Sequence, residues 1–262
     1  MLARVTAVLL AASLAACSSS TPPAGGDASA EPTVSTSSSA PEKADEAPVA
    51  APLPLNADGL LGGDAAGLTF DDGEPGKVSV VQTGTPDSDS GTVPVVFRNN
   101  TDAAVSHVDI SGTARDAAGG LLATGSSQGT TPAQIPAGGV GLAYVYFEPA
   151  STVLPADTVF EFTFETTEAD TSSYNTADLK VVEANRVGTA IVGSATNATG
   201  ATVTGPYSAD VYCFDAGRLT TSTRSFANED DDLAADALAT FTVDLFDAPC
   251  ATYLVGVTGY FA

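Results

Sequence analysis

From residue 159 the chain reads V-F-E-F-T-F-E. Phe160, Phe162 and Phe164 fall on one side and Glu161, Thr163 and Glu165 on the other. Successive side chains of a strand point to opposite faces, so this alternation predicts a half-buried β-strand. The same period of two recurs at 77–82 (KVSVVQ), 92–99 (TVPVVFRN) and 141–148 (GLAYVYFE). Between them, Val108, Ile110, Gly112 and Ala114 share one face, while His107, Asp109, Ser111, Thr113 and Arg115 share the other. The turn-forming runs DAAGG (116–120) and IPAGG (135–139) punctuate the series. No window of comparable length carries the period of an amphipathic helix. The pattern predicts an all-β protein.

The series then repeats just under one hundred residues later. LKVVEANRVGTAIVGSATNATGATV follows the order of GKVSVVQTGTPDSDSGTVPVVFRNNTDAAV, and NATGATV (197–203) aligns with NNTDAAV (99–105). YSADVYCFDAGR stands opposite VDISGTARDAAGG, LATFTVDLFD opposite GLAYVYFEP, and ATYLVGVTGYF opposite TVFEFTFE. One small β-sandwich is about that long. The expected architecture is two tandem immunoglobulin-like β-sandwiches, at 68–169 and 170–262, with one larger sandwich as the alternative.

The first 67 residues have a different texture. Arg4 precedes the apolar run VTAVLLAASLAA (5–16), which is too short to span a bilayer as a helix and reads as a secretory leader over residues 1–16. Cys17 follows, and residues 18–56 are dominated by Ser, Thr, Pro, Ala and acids, without an aromatic. Such a segment cannot bury enough apolar surface to offset its ordering entropy. Residues 17–67 are therefore expected to form a disordered linker. About 40 residues reach on the order of 130 Å when stretched and about 35 Å as a flexible coil.

Two resemblances bear on these segments. LAAC, at 14–17, closely resembles the lipobox of bacterial lipoproteins. That resemblance implies a diacylglyceryl group on the Cys17 thiol, followed by cleavage that leaves Cys17 as the first residue. Two acyl chains suffice for stable anchoring. The second resemblance rests on a strand ending in RNNT, the following β-rich strand, DAAGG, and IPAGG before the next strand. Together these are similar to the bacterial immunoglobulin-like domains that include the FxLYD family, although no literal F-x-L-Y-D string is present. This likeness implies a fold and a surface location, and no reaction.

Charge narrows the partners. The 262 residues contain 32 acids against 9 Lys and Arg, for a net charge of −23. The chain offers no basic patch for nucleic acid or anionic headgroups. The expected location is the extracytoplasmic side of the cell membrane, held by the lipid anchor. There the partner would be an envelope protein or a cell-wall component.

With Cys17 assigned to the anchor, Cys213 and Cys250 remain. Outside the cytoplasm an even pair predicts a disulfide. His107 is the one histidine, and it sits in phase with Asp109 and Arg115 on a polar strand face. No G-x-S-x-G, H-E-x-x-H, C-x-x-C, P-loop or dinucleotide fingerprint is present. DSDSG (87–91) resembles the start of an EF-hand loop, but Gly91 falls at its fifth position and Arg98 at its twelfth, so the calcium pattern fails. NEDDD (228–232) reads as a solvated acidic loop. The expectation is a non-enzymatic surface protein, without cofactor or metal, whose sandwiches bind another envelope or extracellular component. The alternatives are a structural spacer, or a weak cation-binding or hydrolytic surface protein.

Overall fold

The computed structural model describes residues 61–62, 68–149 and 154–262. The expected leader, Cys17 and nearly all of the expected linker lie outside the described residues. Among those described, the chain is built of β-strands joined by turns. β1 is Leu61–Gly62. The first sandwich holds β2 (Val78–Thr83), β3 (Thr92–Asn99), β4 (Val105–Arg115), β5 (Leu121–Ser127), β6 (Val140–Glu148) and β7 (Val159–Glu168). The second holds β8 (Thr176–Val187), β9 (Ala190–Thr196), β10 (Val203–Asp215), β11 (Arg218–Phe226), β12 (Leu238–Asp244) and β13 (Thr252–Phe261). The chain is thus all-β, two tandem β-sandwiches, and all pairings between these strands are antiparallel.

The alternation read from sequence places side chains correctly in β4. Val108, Ile110, Gly112 and Ala114 are buried, while His107, Asp109 and Ser111 are exposed. At the start of the strand Val105 and Ser106 are both buried, which breaks the period. The cause is a β-bulge against β7, where the register shifts between Ser106 and Asp109 and His107 takes a φ of 44°. β5 carries no clean alternation in sequence, and it appears only because β4 and β6 supply partners on both of its edges.

The two sandwiches share one ring order. The first runs β2-β3-β6-β5-β4-β7, and raising every label by six reproduces the second. They open at different seams. In the first, β5 pairs with β6 (Ser126 opposite Tyr146) and β7 has no strand partner at β2. In the second, β13 pairs with β8 (Val257 opposite Leu179), and β11 and β12 are not paired with each other.

The length of one strand explains the difference. The register is kept: Ser79 faces Arg98 and Lys180 faces the counterpart Thr196, with a bulge at Val81 in one repeat and at Val182 in the other. What differs is the start of β8. Its first four residues, Thr176 to Leu179, extend beyond β9 and lie along β13. The corresponding stretch before β2 is instead a turn through Glu74, Pro75 and Gly76. There Gly73 and Gly76 hold φ values of 71° and 73°, a region that Gly occupies without a Cβ penalty.

A buried asparagine marks each repeat. Asn99 donates from Nδ2 to the carbonyls of Ala103 (2.8 Å) and Ile135 (3.0 Å), and its Oδ1 accepts from Thr101 N–H and Oγ1. Asn197 does the same with Ala201 (2.7 Å), Leu233 (2.9 Å) and Thr199. Asn-x-Thr is also the spacing of a glycosylation acceptor. Here both side chains are fully buried and already committed to the main chain.

The sandwiches are packed on one another. Val96 and Leu142 of the first form one buried cluster with Tyr212, Phe214, Leu219 and Leu254 of the second. Polar anchors flank it. The Gln82 side chain donates to Gly217 O (3.0 Å) and accepts from Leu219 N–H (2.6 Å), bonding the β10–β11 turn as a neighbouring strand would. The Asp178 carboxylate accepts from the backbone N–H groups of Ala133 (2.7 Å) and Gln134 (2.9 Å). Gln134 returns two bonds, to Asp170 O and Thr176 O. Asp170 itself accepts from Ser172 and Asn175, bonds that hold its carboxyl down at about 2 and order the connection between the sandwiches.

Burial at this junction pushes the Asp178 carboxyl up to about 6, against the opposing pull of its two backbone donors. A carboxyl raised in the folded state binds its proton earlier than in the unfolded chain. Its contribution to stability therefore increases as pH falls through 6, and the gain is complete below the unfolded value near 4. Between pH 7.5 and pH 5, Asp178 is expected to add about 1 kcal/mol to the stability of the wild type. Denaturant titrations of wild type and Asp178→Asn at both pH values check this. An equal pH dependence in the two proteins would contradict the assignment.

Candidate functional site

The loop between β12 and β13 reads D-L-F-D-A-P-C. Leu245 is buried, and its N–H bonds Thr189 O at 2.8 Å. Asp244 Oδ1 accepts from Phe246 N–H at 2.7 Å, the local side-chain bond that makes Asp a turn former. Phe246 and Asp247 then both take positive φ, 48° and 63°. Few non-glycine residues hold this conformation, and it persists where the surroundings over-determine it. The surroundings here include a disulfide. Cys213, inward-facing on β10 beside Val211, is bonded to Cys250 with a Cα–Cα distance of 4.9 Å. The loop is thus tied at both ends, and Phe246 stands 80% exposed on it.

Phe246 forms one lip of a cleft of about 610 Å³ at the junction of the sandwiches, with Asp87, Asp89, Tyr144, Ser222 and Arg224 among its walls. Arg224 is held on two sides. Its Nε donates to Asp210 Oδ1 at 2.9 Å, and its guanidinium lies 5.0 Å from the ring centre of Tyr144 on β6 of the other sandwich. Asp210 is buried and accepts from Ser208 Oγ at 2.9 Å. Burial outweighs the pull of the nearby guanidinium and leaves this carboxyl above its ordinary range. Burial likewise raises the Tyr212 phenol, which stays neutral. Arg224 also forms part of the wall of a second cleft, of about 420 Å³, with Phe226, Tyr260, Pro206 and His107.

These groups suit recognition. A fixed aromatic, a fixed Arg and hydroxyls beside a partly apolar cleft are the composition of binding hot spots. No known family matches this chain. No curated protein matches it either.

The residues singled out from sequence are dispersed. Cys17 lies outside the described residues, while Cys213 and Cys250 meet as expected. His107 and Asp109 are exposed on β4, and Arg115 turns away to pair with Glu161 at 3.1 Å. In DSDSG the Asp87 carboxylate accepts from Asp89 N–H and Ser90 Oγ, which closes a turn; Arg98 bonds the main-chain oxygens of Phe70, Asp71 and Gly138. In NEDDD, Glu229 accepts from Thr240 N–H at 2.6 Å and Thr240 Oγ1 at 3.0 Å. Among the described residues no three His, Cys, Asp or Glu side chains are grouped to hold a metal ion. Arg224, Tyr144 and Phe246 were not legible in the sequence. Tyr144 and Arg224 sit in ordinary strands 80 residues apart, and the nearest thing to a signal was a Phe placed in a turn segment beside Cys250.

Proposed function

We propose that this protein is a lipid-anchored, non-catalytic surface protein of the cell envelope that binds another envelope or extracellular component through the cleft between its sandwiches. The observation that carries this reading is Phe246. A large apolar side chain is held out in solvent, on a positive-φ, disulfide-tied loop, at the lip of a cleft that also presents a fixed Arg224. Pre-organisation of this kind reduces the entropy lost on binding. The LAAC segment supports anchoring at Cys17, and the Ser/Thr/Pro-rich segment after it supports a tether to the head. The sandwiches resemble bacterial immunoglobulin-like domains of the FxLYD kind.

The test is photo-crosslinking in intact cells. A photoreactive residue at position 246 is expected to give a discrete adduct that Arg224→Ala abolishes. The same label at exposed Val187 is expected to give none. Equal labelling from both positions would instead favour a spacer role. Anchoring is read separately: Cys17→Ala should move the protein from membranes to the medium, and full membrane retention would defeat that half of the proposal.

A further inference from the structure

β7 is an edge strand of ten residues, bonded to β4 along its whole length and, among the described residues, to no strand on its other side. Its equivalent in the second sandwich, β13, has that same outer edge covered. Thr176 to Leu179 of β8 pair with residues 257–260, and Leu61–Gly62 of β1 pair with Val255 and Leu254. In one repeat, then, the fold completes this edge with added extended chain. In the other, the turn at Gly73 and Gly76 carries the chain away and leaves the edge open.

The open seam is shaped as a slot. A cavity of about 640 Å³ lies between β7 and β2, with half-buried Phe160, Phe162 and Phe164 on one wall and Val78 and Val80 on the other. Apolar residues at every second position beside an unpaired backbone edge are what an added strand needs. The ladder supplies affinity and the alternate pockets supply specificity.

Charge selects the occupant. β7 exposes Glu161, Glu165 and Glu168, and Asp109 stands opposite Glu165 on β4. Arg115 offsets only Glu161. A second copy pairing β7 to β7 would bring these glutamates together. The chain's own residues 18–56 carry five acids against one Lys, so they are also a poor match. We propose that the β7 edge is a docking site for an extended basic segment of another protein, with apolar residues alternating with Lys or Arg. This surface is separate from the Phe246 cleft, and neither reading depends on the other.

The probe is a synthetic peptide of about ten residues, the length of a long strand, with Val and Lys alternating. Its acidic counterpart replaces Lys with Glu. With the full chain, the basic peptide is expected to protect backbone amides of β7 from hydrogen exchange, and to bind less tightly as salt rises. In Glu165→Lys/Glu168→Lys its affinity should fall about tenfold and preference should move to the acidic peptide, with an unchanged melting temperature showing that the fold is intact. Phe246→Ser should leave this binding as it was. Protection elsewhere, equal affinity for the double variant, or β7 amides already protected in the free chain by its own tether or by a second copy would each overturn the proposal. Loss of the position-246 crosslink with peptide binding retained would remove the cleft reading alone.

Discussion

Asn99→Ala is expected to destabilise the folded head by about 3–4 kcal/mol, although it deletes only a few atoms. The side chain is fully buried, and its Nδ2 serves Ala103 O, Ile135 O and Pro136 O while its Oδ1 receives two bonds from Thr101. Alanine would leave these groups without their partner, the Ile135 carbonyl in a fully buried position and the others partly buried, and a buried unsatisfied polar group costs about 1–3 kcal/mol. Asn197→Ala should behave alike, because its bonds to Ala201, Leu233 and Thr199 repeat the arrangement. Exposed Asn185, bonded to Glu183 alone, is the control and should change stability by no more than about 0.5 kcal/mol. Denaturant midpoints at one pH and fixed ionic strength measure all three. Asn99→Ala and Asn185→Ala with the same midpoint would mean the buried ladder does not hold the repeat together.

The second large effect lies at the disulfide. Cys213 and Cys250 are 37 positions apart, and closing a loop of that size restricts the unfolded chain by about 4 kcal/mol in the loop-entropy treatment. Cys213→Ala/Cys250→Ala is expected to lower the melting temperature by roughly 10 °C in a head of this size. A local consequence goes with it. The 244–250 loop loses its tie to β10, so hydrogen exchange at Ala248, whose N–H bonds Leu245 O, should rise more than in β9 or β13. A double variant that melts with wild type, or whose loop exchanges no faster, would sever the link drawn between the bridge and the display of Phe246.

The local alternation of β4 and β7 was visible in sequence because side-chain direction in a strand depends only on neighbouring residues. The 98-residue spacing from Asn99 to Asn197 was visible for a related reason, since each repeat must satisfy the same buried main-chain groups. The pairing of Cys213 with Cys250 needed only an inward phase and an even count. β5 was missed because its residues 121–127 carry no period of their own and are held by neighbours on both edges. The place of Phe160, Phe162 and Phe164 on an end strand of the sheet was also hidden. Their phase reads identically for a central strand and for an edge.

Residue order alone thus established the strand periodicity, the duplication and the cysteine bridge, all of which follow from short-range geometry and composition. Folding in three dimensions decided which seam of each ring stays open, and it brought Tyr144 to Arg224 and Asp178 to the backbone of Ala133 and Gln134. Those outcomes turn on non-local pairing. Four residues at the start of β8 lie along β13 and close one sandwich, while the turn before β2 leaves the other open, and no periodicity within either strand announces it.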